Sequence, residues 1–341
     1  MKPRQFYAFV APSLFLMIVF IMIPLLIVFW QSFNIKQSVF QTVSVERCTP
    51  GFFGGEEQCT TVTRNRPVLD ETGRPITETK FAGLEVYKSV VQPDAVSAAF
   101  DEGGGGIDRV LNVRFWGALR FTLTFTFLTL PLVVGLGLLI ALAVDNTVRA
   151  IRGPVIFLSL LPFIITPVIG ALSIRWLFIG DGIMTAFLEW ATGNDIAMFA
   201  QGWTIEILMM FYRVWHVAPF AFVIFYAGLQ TVNQDHLDAA IVDGASRWDR
   251  LRYVIIPHLM PLIVFVALIH LMDAYRVFEE VVGFSSAAFR ISLQYLTFEF
   301  LQPDDTGNRS VSAAAASSML TMVGIVILLI PLLRRTWRDY R

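Results

Sequence analysis

The sequence predicts an all-α membrane protein of six transmembrane helices with one water-exposed insert, and three observations lead there. The chain of 341 residues is 55% hydrophobic and 16% charged, whereas a soluble domain carries about 25% charged residues. Its apolar residues are gathered into runs that approach or exceed the roughly 20 needed to cross a bilayer as a helix. The short stretches between those runs alternate between arginine-rich and almost free of basic residues, as expected for the two faces of a membrane. A formal net charge of −1 gives no electrostatic footprint for nucleic acid.

The first run covers residues 6–30 behind a basic start. It is too long for the apolar region of a signal peptide and lacks a small-residue cleavage site, so it is expected to stay as a helix. Further spans are expected at 115–144, 154–178, 204–229, 259–278 and 310–333. Pro162, Pro167 and Gly170 interrupt the third, which predicts a bent helix packed among neighbours that satisfy the freed backbone groups. Arg213, His270 and Asp273 interrupt the fourth and fifth.

Basic residues set the expected orientation, because short cytoplasmic loops hold the excess of Lys and Arg. Lys2 and Arg4 precede the first span, and Arg149 and Arg152 follow the second. Arg247, Arg250 and Arg252 follow the fourth, and Arg334, Arg335, Arg338 and Arg341 follow the sixth. The opposite short loops are poor in them: 180–203 has none, and 279–309 has Arg290 and Arg309. Both termini of this multi-pass membrane protein are therefore expected in the cytoplasm.

The organisation follows as a cytoplasmic start with its first helix (1–30), an extracytoplasmic loop domain (31–114), a core (115–333) and a basic tail (334–341). The loop of roughly 80 residues is long enough to escape the charge rule. Turn-rich stretches such as "PGFFGGEEQ" and "DETGRP" bound expected strands near 60–68 and 76–86, and the glycines at 103–106 suit a flexible tether. Cys48 and Cys59 both fall in this loop. On the oxidising side a bridge between them would close about a dozen residues and contribute about 2–4 kcal/mol. Two reduced thiols are the alternative.

One stretch is charged and regular at once. Residues 238–257, "DAAIVDGASRWDRLRYVIIP", lie between two apolar runs and cannot be solvated by lipid. Asn233 and its neighbours offer a helix cap, Gly244 costs about 1 kcal/mol within a helix and so predicts a turn, and a second short helix is expected from Ser246 to about Ile255. Pro257 would then open the fifth span. An amphipathic linker resting on headgroups would read the same way.

The spacing breaks that tie. Asp238-Ala239-Ala240, three residues, Gly244, nine residues, then Val254-x-Ile256-Pro257 resembles the Glu-Ala-Ala signature of permease subunits in binding-protein-dependent ABC importers. Asp, Val and Ile stand where the signature has Glu, Ile and Leu. The resemblance extends from about Phe115 to Leu333, and "VWHVAPFAFVIFYAGLQTV" and "DAYRVFEEVVGF" are similar to maltose-type carbohydrate permeases. A "GGP" turn common in that subfamily is replaced here by "GFSSAAF".

The resemblance implies the type I importer permease fold, with 233–257 as a coupling helix that docks on an ATP-binding subunit. Asp238, Ala239, Ala240, Asp243, Gly244, Ala245 and Pro257 would form that contact and its hinges. Small residues permit close approach, and a carboxylate at Asp238 suits a charge-assisted bond from a partner Arg. The implied partners are a second, similar permease, two ATP-binding subunits that hold ATP and magnesium, an extracytoplasmic sugar-binding protein and the bilayer.

Ionisable groups inside spans are functional candidates, since each costs about 2.5–3.5 kcal/mol on insertion scales. His270, Asp273, Ala274 and Val277 follow helical spacing on one face, and Arg213 lies beside Trp215 and His216 in the fourth span. Carried over from the maltose-type pattern, the pathway lining would comprise Trp215, His216, Val217, Phe220, His270, Asp273, Ala274 and Val277, with Arg213 adjacent. Aromatic faces and a few polar groups suit a sugar. The alternative is an internal ion pair between Asp273 and Arg213 or Arg276.

No phosphate loop of the G-x-x-x-x-G-K-[ST] type occurs, nor HExxH or GxSxG, and the four histidines are scattered. The chain is thus expected to hold no cofactor or metal and to catalyse nothing itself. The expected function is passage of a di- or oligosaccharide such as an α-glucoside. A polyol, glycerol-phosphate or charged sugar is the alternative cargo, and a self-contained secondary transporter the alternative class.

Overall fold

The computed structural model describes residues 3–49, 58–68, 76–101, 105–180, 182–303 and 309–339. It divides into two units, Met1–Val90 with Phe300–Met319, and Val91–Glu299 with Leu320–Arg341.

The first unit opens with helix α1 (Pro3–Met17), which passes through a π turn at Ile18–Met22 into α2 (Ile23–Gln31). The stretch Val10–Gln31 reaches a mean hydropathy of 2.8 and buries none of its side chains within the chain. Such a helix is stable only where lipid or another protein covers it. The wide turn sits just ahead of Pro24, where a missing N–H and a crowded ring disturb the α-helical ladder. Beyond it, β1 (Asn34–Ser38) pairs antiparallel with β4 (Thr77–Phe81), and β2 (Phe40–Thr49) with β3 (Gln58–Pro67). The second register sets Cys48 directly opposite Cys59. A short helix α3 (Glu85–Val91) follows, and Tyr87 Oη donates to Ser32 Oγ at 2.8 Å. Strands were expected at 60–68 and 76–86. The second ends at Phe81 instead, because Glu85 opens the helix, and β1 and β2 went unforeseen.

The second unit contains α4 (Pro93–Asp101), α5 (Gly106–Asn112) and the long helix α6 (Arg114–Asp145). The expected tether is shorter than the glycine run: Gly105 caps α5 and Gly106 belongs to it, while Gly103 and Gly104 lie outside the described residues. Next come α7 (Arg149–Ile164), α8 (Pro167–Phe178), α9 (Ile183–Thr192), α10 (Gly202–Leu229) and α11 (Gln234–Val242). Then α12 (Arg247–Arg250), a π turn at Leu251–Ile255 and α13 (Ile256–Tyr275) run on without a break. The chain ends with α14 (Glu279–Gly283), a 3₁₀ turn at Ser286–Ala288, α15 (Leu293–Leu301) and α16 (Val311–Asp339), whose first residues belong to the other unit. The tail expected at 334–341 is helical as far as Asp339.

Five of these helical stretches are long and apolar enough to span a membrane, and α7 with α8 forms a sixth candidate bent by 94°. The third span is therefore a broken pair rather than one bent rod. Pro167 forces its predecessor out of the helical region, and Thr166 and Ile165 are both extended, with ψ of 132° and 135°.

The core lies where α6 and α10 pack together. Phe121, Phe125, Met209, Tyr212, Ala274 and Phe284 are all fully buried in one cluster, and Val133, Ala141, Phe222, Phe225 and Leu259 in another. A Cβ built on Gly137 would stand 2.5 Å from Ala221 Cβ and 3.0 Å from the Phe222 amide, so the two helices meet almost backbone to backbone. Small residues drive such approach in membranes, where lipid is as apolar as leucine.

Candidate functional site

Two places gather the expected site residues, and one continuous helix runs between them. The first is the charged stretch. Asn233 caps α11 by accepting from the Asp235 amide at 2.9 Å. The helix ends at Gly244, whose φ of +78° is the left-handed conformation that glycine adopts most cheaply. The Gly244 amide donates to Ile241 O at 3.0 Å and the Ala245 amide to Ala240 O at 2.9 Å, the paired bonds of a Schellman ending. Ser246 then caps the next helix in a reciprocal box with Asp249.

The expected helix–turn–helix thus forms, with one difference. Pro257 is no hinge. The π turn ahead of it absorbs the missing amide, so Arg247 to Tyr275 is one helical rod of about 40 Å, at 1.5 Å per residue. Asp238, Ala239, Asp243, Gly244 and Pro257 are exposed, and Ala240 and Ala245 half-buried. Ile241, Val242 and Trp248 are also exposed, at 51%, 87% and 63%.

The second place is a cavity of about 360 Å³ lined by α7, α8, α10, α13 and the turn into α14. Arg213, His216, Val217 and Phe220 come from α10, and Ile269, His270, Met272 and Asp273 from α13. Phe163, Pro167, Arg276 and Glu279 complete the wall. Phe163 and Phe220 stack with centroids 6.1 Å apart. Six of the expected pathway residues therefore converge: Arg213, His216, Val217, Phe220, His270 and Asp273.

Three do not. Trp215 is 37% exposed on another side of α10, near Tyr212. Ala274 is wholly buried in the core, and Val277 lies beyond the end of α13, which stops at Tyr275. The helical spacing assumed a helix to 278 and so put Val277 on a face that does not extend that far.

Electrostatics organise the polar side. Arg213, with 5% of its side chain exposed, donates from Nη1 to Glu280 Oε1 at 2.7 Å and from Nη2 to Asp273 Oδ2. The internal ion pair that competed with the cargo reading is present, and its deep partner is Glu280, which sequence reasoning missed. Its signal was the doubled carboxylate of "FEEVV" at the end of an apolar run. His270 Nε2 lies 3.0 Å from Thr129 Oγ1.

Two of the α10 side chains have structural work. The carbonyls freed where α7 breaks from α8 need donors. His216 Nε2 lies 2.9 Å from Ile165 O, which makes the ring the donor, and Tyr212 Oη donates to Pro167 O at 2.7 Å. His216 thus lines the cavity while holding its wall. Arg175, in the last turn of α8, sits 5.9 Å from the Phe199 ring centre. Among the described residues no cluster of His, Cys, Asp and Glu is arranged to hold a metal.

Several known proteins are similar to this chain. It is 27% identical over 220 residues to the trehalose/maltose transport system permease protein MalF of Thermococcus litoralis, covering 63% of this chain and 72% of that one. It is 33% identical over 183 residues to the trehalose transport system permease protein SugA of Mycobacterium tuberculosis, covering 52% and 57%. It is 26% identical over 256 residues to the sn-glycerol-3-phosphate transport system permease protein UgpA of Rhizobium meliloti, covering 72% of this chain and 84% of that one. A bacterial ABC transporter of known structure, involved in import of the acidic polysaccharide alginate, has a chain with the same fold: TM-score 0.58, 21% identity, 75% of this chain and 90% of that one. Residues 104–338 match the family described as the binding-protein-dependent transport system inner membrane component, and the chain belongs to that family.

Proposed function

We propose that the chain is the permease subunit of an ATP-driven sugar importer, fed by an extracytoplasmic binding protein and worked by separate ATP-binding subunits. One observation carries this reading. The rod from Arg247 to Tyr275 begins at the exposed turn at Gly244 and ends at His270 and Asp273 in the cavity wall. A push on α11 therefore reaches the cavity through a single rigid element, which is what coupling of nucleotide closure to cargo movement requires.

The rest of the assembly follows from the same reading. Exposed Ala239, Asp238 and Val242 suit docking into a groove of an ATP-binding subunit, and arginine placement supports a cytoplasmic side for that face and both termini. A second permease would cover the exposed apolar helices, and ATP and magnesium would be held outside this chain. The cavity supports an uncharged sugar, such as an α-glucoside, over glycerol-phosphate or another anion. Among its lining residues Asp273 and Glu279 balance Arg213 and Arg276, and Asp273 already holds the cavity-side nitrogen of Arg213, so the wall offers no surplus positive charge to attract an anion. The stacked Phe163 and Phe220 offer a face for the C–H side of a sugar ring.

Reconstitution of the chain with its partner subunits and binding protein in proteoliposomes tests this. ATP-dependent uptake of labelled trehalose or maltose, absent without the binding protein, is expected. Uptake that persists without ATP would point to a self-contained transporter, and selective uptake of glycerol-3-phosphate would overturn the cargo.

A further inference from the structure

The guanidinium of Arg213 is gripped on two unequal sides. Behind it, Glu280 is 1% exposed and accepts at 2.7 Å. In front, Asp273 accepts from the other nitrogen with 56% of its own side chain exposed. Both Arg213 and Asp273 line the cavity, whereas Glu280 does not. Its second oxygen, Oε2, is buried with no hydrogen-bond partner among the described residues. A carboxylate buried with an orphan oxygen is a poor device for stability alone, because its desolvation is only partly offset.

From this asymmetry we infer that Glu280 is the positioning residue of the cavity and that Asp273 is its internal, displaceable occupant. Glu280 fixes the guanidinium plane and keeps Arg213 paired at all times. Asp273 holds the cavity-side nitrogen while no cargo is present, and a cargo hydroxyl takes that place when it arrives. Exchange is easier on this side than behind, since Asp273 with 56% of its side chain exposed regains water as it lets go, whereas the buried Glu280 cannot. Arg213 keeps its buried partner throughout, and the released Asp273 is free to accept from a second hydroxyl. A vicinal diol, offering one acceptor and one donor, fits both roles. Because Arg213 stands on α10 and Asp273 on the rod that reaches Gly244, the same exchange unties the two helices and reports cargo arrival to the coupling end.

The inference rests on the transport reading, and its test separates the two. The complete reconstituted complex is assayed for ATP hydrolysis without cargo and for trehalose uptake per ATP hydrolysed. Asp273→Asn, which weakens the hold on Arg213 at an exposed position, is expected to raise cargo-free hydrolysis at least threefold. Glu280→Gln is expected to lower uptake per ATP about tenfold, with Glu280→Asp recovering part of it. A residue that only braces the fold would lower all activities together and leave the ratio intact. Wild-type cargo-free hydrolysis in Asp273→Asn, or wild-type uptake per ATP in Glu280→Gln, overturns the inference. Should the unmodified complex hydrolyse ATP in response to its binding protein yet carry no trehalose, the cargo reading fails while the hydrolysis arm still decides on Asp273.

Discussion

Arg213 on α10 and Glu280 on α14 meet across 2.7 Å with side chains 5% and 1% exposed. Removing one member strands a charge in a medium that cannot solvate it. Arg213→Ala is therefore expected to cost about 3–5 kcal/mol, whereas a matched apolar pair such as Arg213→Met with Glu280→Leu should recover most of it. Thermal unfolding of the purified complex measures both. The double variant should be well folded and transport-dead, which separates the pair's structural part from its place in the pathway. An unaltered melting temperature for Arg213→Ala would remove the buried pair from the stability of the core.

Gly137 on α6 faces Ala221 and the Phe222 backbone on α10. An added methyl cannot be accommodated by rotating a side chain, since a backbone amide stands 3.0 Å away. Gly137→Ala is expected to cost about 1–3 kcal/mol, the range for overpacking. Gly137→Ala with Ala221→Gly moves the methyl across the contact and should restore part of the loss. Additive losses in the double variant would show that the helices do not meet here.

What the sequence made legible divides along physical lines. Five of the spans, the cap at Asn233, the turn at Gly244 and the helix opening at Ser246 follow from local rules of hydropathy, backbone conformation and hydrogen bonding, and each stands where those rules put it. Pro257 misled because a proline can be absorbed by a π turn as well as by a break, and that choice depends on what the helix packs against. Pro167 did break its helix, since Tyr212 and His216 were there to take up the freed carbonyls. In the cavity, spacing found one face of α13 but not Glu280, whose role exists only through a residue 67 positions away. Val277 was misplaced for the complementary reason: a periodicity continues in a sequence after the helix has ended.

Cys48 and Cys59 stand opposite each other in the β2–β3 register, and the loop that carries them is expected on the oxidising side of the membrane. We predict a bridge worth about 2–4 kcal/mol. Maleimide labelling of the unfolded chain should modify no thiol before reduction and two after it. Two reactive thiols without reductant would leave the hairpin to stand on its hydrogen bonds alone.

Gly244 offers the sharpest test of the lever. Its φ of +78° costs an L-residue about 1–2 kcal/mol, yet a Cβ placed there would meet nothing within 4 Å in this chain. A substitution is therefore penalised by backbone conformation and by whatever docks from outside, and not by crowding within the subunit. Gly244→Asn, which tolerates the left-handed region, should retain most binding-protein-stimulated ATP hydrolysis. Gly244→Val should lose at least tenfold while still inserting into the membrane, because relieving its strain swings α11 away from the axis of the rod. Equal stimulation in the two variants would mean that the angle between α11 and that rod transmits nothing, and the coupling role of the whole stretch would fall with it.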